Sequence, residues 1–359
     1  MAQIRLVSWN IQVYGPDKYA ITPNNQWVAE LACETILHTG ATVVVLMELM
    51  SSVAVNIAGS IALGLGQLGA IPWSWYVTQA RPGADRESYA VLWRNGGVNF
   101  APIAGAEGLA ANEFPNNFSA THGRRAAYKT FRTTDTNNNF AVAVYHAPPN
   151  NQAVMGVESL SQMTAAYTVN NGGAVQNVPS RMLAGDYNMD AVSDAAYFQP
   201  LTNPLPAPPA VPPPNLATGQ GAGCTPGNPG GAIATSTLLG TLNDALQSYG
   251  GNVNAWPAAS TAYRRNNFAI DNIYQAASAF NGFSVIDVPS LIRNPPPGSP
   301  IRNIANAFVL RRANGTDAFP HANTFPPPMN VALNSMGWAF LLYRYAISDH
   351  LPILTDVTV

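Results

Sequence analysis

Two short runs set acid, amide and imidazole side chains directly against apolar stretches. Gly185-Asp186-Tyr187-Asn188 follows Arg181-Met182-Leu183-Ala184, and Ser348-Asp349-His350 leads into Leu351-Pro352-Ile353-Leu354. Three further polar residues border apolar runs: Asn10 after Ile4 to Trp9, Glu48 after Thr42 to Met47, and His146 after Phe140 to Tyr145. A side chain at a strand end is held by a rigid scaffold and still reaches solvent. Phosphodiester hydrolysis needs such groups. A cation binds a non-bridging oxygen, a base activates water, and an acid protonates the leaving oxygen.

Magnesium takes hard oxygen ligands and keeps several waters, so one or two carboxylates suffice. Mn2+ or Ca2+ could take its place. Glu48 is the first expected ligand, because a glutamate closing so apolar a strand is rarely buried unless paired. Asn10 offers a neutral amide to the metal, to a water on it, or to a phosphate oxygen. Asp186 and Asn188 are two apart, which in an extended segment puts both on one face. The carboxylate then orients the attacking water and the amide contacts phosphate. An Asx-turn after the strand is the other reading of that spacing. Asp349 can join the metal site, and the His350 imidazole can act near neutral pH on the scissile phosphate.

The elements that must position these groups follow from apolar periodicity. Strands are expected near 4–9, 42–48, 73–78, 88–95, 126–133, 138–146, 180–185, 268–275 and 352–358. Helices are expected near 25–39, 52–68, 155–168, 236–248 and 330–345, the last equally readable as extended. Residues 135–139 read as the turn of an antiparallel pair. The 359 residues are expected to form one domain, since the candidate groups run from end to end and must converge. Pro/Gly-rich segments near 204–231 and 295–328 read as inserted surface loops that could shape substrate access or a partner contact.

Charged residues make up only 10% of the chain, and the net charge is −2, so there is no global basic field for nucleic acid. Lysine occurs only at Lys18 and Lys129, consistent with a coding bias toward Arg, Ala, Pro and Gly. Arg81, Arg86, Arg124, Arg125, Arg264 and Arg265 stand close to the polar runs and could line a local basic groove. His38 reads as a helix-end residue, and His122 and His321 as loop residues. Cys33 and Cys224 lie in different contexts, and their spacing does not establish a disulfide. The apolar run 53–68 is interrupted by Asn56, Ser60 and Gln67 and reads as a packed helix rather than a membrane span. Met1-Ala2-Gln3 enters the first strand with no basic or cleavable apolar segment ahead of it. The expectation is a cytoplasmic protein or one exported without a leader.

The ordered set of runs resembles the endonuclease/exonuclease/phosphatase superfamily, most closely its deoxyribonuclease I branch. It comprises Trp9-Asn10-Ile11, Glu48, Arg86-Glu87-Ser88-Tyr89, Gly123-Arg124-Arg125-Ala126, Tyr145-His146-Ala147-Pro148, Gly185-Asp186-Tyr187-Asn188, Ile270-Asp271-Asn272 and Ser348-Asp349-His350. The resemblance implies an α/β chain of the α+β type: a four-layered sandwich of two packed mixed β-sheets flanked by helices. It implies that Glu87 orients His146 and Asp271 orients His350, two carboxylate–imidazole pairs facing each other across a phosphate. It also implies a phosphate-contacting arginine, Arg124 or Arg125. The activity implied is a divalent-metal-dependent phosphodiester hydrolase with a nucleic acid substrate, most like a DNase I-type endonuclease. A sphingomyelinase-like or other lipid phosphodiesterase or phosphatase is the second reading, and a catalytically silent binding protein of the same fold is the third. Three departures stand out. Met189-Asp190 follow Asn188 where the phosphoinositide-phosphatase branch has an aromatic residue and an arginine. Asn266 to Ile270 replace the Gly-Trp-Arg of the abasic-site endonucleases, and Asp85 stands where many deoxyribonucleases have tyrosine.

Overall fold

The computed structural model describes residues 1–16, 27–79, 87–109, 124–148, 168–171, 174–177, 180–189, 194, 198, 270–276, 279–305, 339–340 and 342–359. Thirteen strands are present among them. Strands β1 (Gln3–Tyr14), β2 (Val43–Met50), β3 (Trp73–Gln79), β4 (Glu87–Arg94), β12 (Ala279–Val285) and β13 (Ile353–Thr358) form one sheet, in the order β12-β13-β1-β2-β4-β3. Strands β5 (Phe100–Leu109), β6 (Ala127–Thr133), β7 (Asn139–His146), β10 (Ser180–Asp186) and β11 (Asp271–Ala276) form the second, in the order β11-β10-β7-β6-β5. Strands β8 (Thr168–Asn171) and β9 (Ala174–Asn177) make a separate hairpin. Each large sheet is mixed, with one parallel pair, β1 with β2 and β7 with β10, among antiparallel neighbours.

Alternation along the strands divides the core in two. Ile4, Leu6, Val43, Val45, Met47, Tyr89 and Val91 point inward and meet Phe131, Phe140, Val142, Val144, Met182 and Ala184 of the second sheet. Their neighbours Val7, Trp9, Val44, Leu46, Ala90 and Leu92 point outward onto helices α1 (Trp27–Thr39), α2 (Ala54–Gly69) and α3 (Val288–Arg293). A strand buried on both faces must be apolar at consecutive positions, as β2 is in Val-Val-Val-Leu-Met. Two sheets and one helical layer are therefore in place. The helices expected near 236–248 and over most of 155–168 lie outside the described residues.

The nine expected strands all form, within a few residues of their expected ends. Two others carry residues that ordinarily break strands. β5 contains Pro102, Gly105 and Gly108, which an edge strand tolerates at an irregularity between Pro102 and Glu107. β12 contains Asn281-Gly282, which sits at a register shift rather than a turn. Thr168 opens β8 instead of closing a helix. The segment near 295–328 is not wholly a surface excursion. Residues 301–305 are helical, and Ile301 and Ala305 are buried in the helix-side core, because these two apolar side chains fit against it. Residues 306–328, like 204–231, lie outside the described residues. Residues 339–340 and 342 are helical and run into a π-helical turn, Tyr343–Ile347. His38 lies in the last turn of α1, and Cys33 is a buried free thiol. Cys224 lies outside the described residues. No described helix is long and apolar enough to cross a membrane.

One glycine decides how closely β7 and β10 approach. Gly185 lies opposite Tyr145, and a Cβ there would collide with the Tyr145 carbonyl oxygen. That contact is backbone and cannot swing aside, so Gly185→Ala must separate the strands just where Asp186 follows. A loss of about 2 kcal/mol or more is expected, and urea unfolding of the variant against the wild type measures it.

Candidate active site

Adjacent strand ends build one row of functional groups. Asp186 closes β10, with His146 of β7 opposite it on one side and Asp271 of β11 on the other. Both pairings are continuous, so the sheet register alone aligns the three. The other sheet brings Asn10 and Glu48 to the same place. Glu48 sits where the pairing of β2 with β4 slips between Leu46 and Leu49. Its φ is +59°, a conformation that a non-glycine residue adopts at a cost on the order of 1–3 kcal/mol. This irregularity turns the carboxylate toward the row rather than into the sheet alternation. Gln12 and Val13 also have positive φ, at 46° and 45°. That turn lets Asn10 Oδ1 accept from Gln12 N–H at 3.0 Å, and Glu48 Oε2 accept from Val13 N–H at 2.9 Å.

One oxygen is the meeting point. Asp186 Oδ2 accepts from Asn10 Nδ2 at 2.9 Å, and the same Asn10 amide donates to Glu48 Oε1 at 2.9 Å. His146 Nε2 lies 3.5 Å from Asp186 Oδ2, and His350 Nε2 lies 3.6 Å from it. His146 Nε2 is also 3.7 Å from Glu48 Oε1. Asp186 is 1% exposed and Asn10 is fully buried, so within the protein these polar groups are satisfied by one another.

Both histidines have an orienting acid. His146 Nδ1 is 3.1 Å from Glu87 Oε2, and His350 Nδ1 is 2.8 Å from Asp271 Oδ2. Each pair leaves Nε2 facing Asp186. Arg124 braces the first pair, donating to Glu87 Oε1 at 2.7 Å and the Ala147 carbonyl at 2.7 Å, with its NH1 3.1 Å from His146 Nε2. Arg125 joins none of these contacts, and its buried Nε has no hydrogen-bond partner. Asp349 lies beside the cluster, its Oδ1 3.6 Å from His350 Nε2 and its Oδ2 3.6 Å from Arg344. Asp349 Oδ1 is buried and accepts no hydrogen bond.

Asn188 differs from the extended arrangement. Its φ is +49°, and its N–H donates to Asp186 Oδ1 at 2.9 Å, the geometry of an Asx-turn. Its side chain then donates to the Ala147 carbonyl at 2.7 Å rather than lying beside the Asp186 carboxylate. The turn wins because it satisfies a backbone N–H at the strand end. Arg81, Arg86, Arg264, Arg265, His122 and His321 lie outside the described residues, and so does any groove they form.

Several supports carry no signal in a strand pattern. The Tyr89 hydroxyl accepts His146 N–H at 3.0 Å. The Ser348 hydroxyl donates to the Asn10 carbonyl at 2.7 Å and accepts from His350 N–H at 3.0 Å. The Tyr343 hydroxyl donates to the His350 carbonyl and accepts from Trp9 Nε1 at 3.1 Å. Tyr343 opens the π-helical turn, and such turns often sit at functional sites.

The charges bias protonation. Burial works to lower the His350 pKa, but Asp271, Asp186 and Asp349 together raise it well above the ordinary histidine value. His146 is raised in the same way: burial opposes it, and Glu87, Asp186 and Glu48 outweigh burial and Arg124. Burial pushes the Glu87 carboxyl up, but His146 and Arg124 bring it down to about 2, from an ordinary 4.5. A depressed acid stabilises the fold above its unfolded pKa, and that stability is lost as pH falls through the folded value. Glu87→Gln is therefore expected to lower stability by on the order of 1–3 kcal/mol near pH 6. The difference should shrink as pH falls from about 4.5 toward about 2. Urea unfolding of both proteins at successive pH values checks the sign.

Solved structures share this arrangement of elements over nearly the whole chain. An endonuclease/exonuclease/phosphatase from Bacteroides vulgatus is 14% identical, with a TM-score of 0.52 over 99% of each chain. A mannosyl-6-phosphatase from Bacteroides thetaiotaomicron is 12% identical, with a TM-score of 0.51 over 99% of this chain and 100% of that one. D. rerio TDP2, solved in complex with a single-strand DNA product, is 12% identical, with a TM-score of 0.50 over 99% of each chain. No family model matches the sequence, and no curated protein matches it at a significant level. At these identities the likeness is one of architecture, and the two mixed sheets with their helical layer are the endonuclease/exonuclease/phosphatase fold.

Proposed function

We propose that the protein is a divalent-metal-dependent phosphodiester hydrolase, most like a DNase I-type endonuclease. The observation that carries this reading is the convergence of two carboxylate-held imidazoles and an amide on the single oxygen Asp186 Oδ2. That constellation gives one base position between two oriented imidazoles, with an arginine beside them, as an in-line attack on phosphorus demands. The fold supports the reading. Similar structures include a phosphatase and a protein bound to a DNA product.

The donor set fits a hard cation. Glu48, Asp186, Asp271 and Asp349 crowd one place, and the field that raises both histidines is one a divalent ion would neutralise. The Asp349 Oδ1 atom is buried with no hydrogen bond and has lone pairs to give. Glu48, His146 and Asp186 bring ligand atoms within 4.8 Å of one another, as do Asp186, Asp271 and His350. Glu48 and Asp349 would hold the ion, with Asn10 fixing Glu48 relative to Asp186. Mg2+ suits their oxygen ligands, and Mn2+ or Ca2+ could substitute. When bound, the cation supplies polarisation of a non-bridging phosphoryl oxygen.

The chain's own residues do the rest. Asp186 Oδ2 orients a water and takes its proton. His350, its Nδ1 proton held by Asp271, carries a proton on Nε2 that can be donated to a phosphate oxygen. His146, its Nδ1 held by Glu87, accepts from Arg124 at Nε2 and lies across Asp186 from His350. Arg124 sits on the same carboxylate and keeps that pair in place, close enough to meet a phosphate. Asn188 fixes the loop after β10 through its bonds to Asp186 and the Ala147 carbonyl. Nucleic acid is the proposed substrate.

One preparation assayed on plasmid DNA and on sphingomyelin, with Mg2+ or with EDTA, tests the reading. Metal-dependent nicking of DNA is the expected result. His146→Ala and His350→Ala should each lose about 100-fold or more. Glu48→Gln should weaken Mg2+ binding measured by calorimetry on the protein alone. Cleavage of sphingomyelin but not DNA would move the substrate to lipid, and cleavage of neither would favour a binding protein of the same fold.

A further inference from the structure

The Asp186 main chain is held from both sheets. Opposite Gly185, the Tyr145 carbonyl oxygen occupies the space any Cβ would need. The Asp186 carbonyl accepts from Ala147 N–H at 2.7 Å. The Asp186 N–H also donates to Met47 Sδ, at 3.3 Å, across the gap between the two sheets. Met47 is fully buried, lies opposite Asn10 in the β1–β2 pairing, and immediately precedes Glu48. β2 therefore holds two members of the cluster: Asn10 through the Glu48 carboxylate, and Asp186 through its backbone.

We propose that Met47 is a positioning residue of the active site, its sulfur fixing the Asp186 backbone and hence the oxygen on which Asn10, His146 and His350 converge. The role of that oxygen rests on the function proposed above, but the placement does not. A thioether is a weak acceptor, polarisable and flexible enough to reach an N–H at the end of the ladder. Leucine matches methionine in volume and is well tolerated in cores, yet accepts nothing. Loss of an acceptor from a buried N–H is penalised, so without the sulfur the Asp186 backbone should shift or open. Glutamine has nearly the same length and ends in a stronger acceptor.

Amide hydrogen exchange of Asp186, resolved by NMR in the metal-free protein, reads the contact directly. Met47→Leu is expected to speed that exchange about 10-fold while distant core amides keep their rates. Turnover of bis(p-nitrophenyl) phosphate with Mg2+ should show kcat down about 10-fold and KM unchanged. Met47→Gln should recover both. In the wild type, a nuclear Overhauser effect between the Met47 ε-methyl and the Asp186 amide proton is required. Its absence overturns the proposal even if neither variant folds. Unchanged exchange in Met47→Leu, or Met47→Gln behaving like Met47→Leu, also overturns it. A wild type inactive on the phosphodiester would sink the proposed function, and the exchange and Overhauser results would still decide the positioning role.

Discussion

The arrangement depends on one amide group. Asn10 Nδ2 donates to Glu48 within its own sheet and to Asp186 in the other. Two carboxylates brought this close repel, and a shared donor between them offsets part of that repulsion. The sandwich must therefore close with its strands staggered so that Asn10 of β1 stands level with Asp186 at the end of β10. The inter-sheet core of Val45, Met47, Val91, Val142, Val144 and Met182 fixes that stagger, since close-packed side chains allow little sliding. Packing and polar chemistry are thus coupled: the apolar core sets the stagger, and the stagger sets a donor–acceptor distance.

The polar network extends outward in two directions from this contact. On one side Glu87, Arg124, Tyr89 and the Ala147 carbonyl hold His146 by side chain and backbone together. On the other, Asp271, Ser348 and Tyr343 hold His350 at three separate atoms. Buried networks of this kind rigidify a site when nearly every member has a partner. Asp349 Oδ1 accepts no hydrogen bond, and it lies 3.6 Å from His350 Nε2, where the excess negative charge collects.

Much of this was legible in the sequence, for physical reasons that differ by residue. Glu48, His146, Asp186 and His350 each break an apolar run, and a charge there is conspicuous in any strand pattern. Glu87 and Asp271 are different. Alone they read as a surface charge and a turn former, and only the ordered resemblance to a known family paired them with histidines. The choice between Arg124 and Arg125 needed coordinates, because adjacent residues at a strand entrance point in opposite directions. Asn188 was legible as an Asx-turn former, but not the Ala147 carbonyl on which its side chain lands. Strands β5 and β12 were hidden by proline, glycine and asparagine, whose usual meaning is overridden at an irregular edge. The contact between Asp186 and Met47 has no sequence signature, since thioethers in strands ordinarily signify packing alone.

The pairing of β1 with β13, Gln3 with Thr358 through Ser8 with Ile353, sets the order in which the molecule can be completed. His350 lies just ahead of the closing strand, whereas Asn10 lies in the opening one. During synthesis the ribosome releases Asn10 and Glu48 hundreds of residues before their partner, so the central strand of the six-stranded sheet waits with an unpaired edge. Whatever shields that edge in the interval, a chaperone or a transient contact within the chain, governs how much of the newly made protein avoids aggregation.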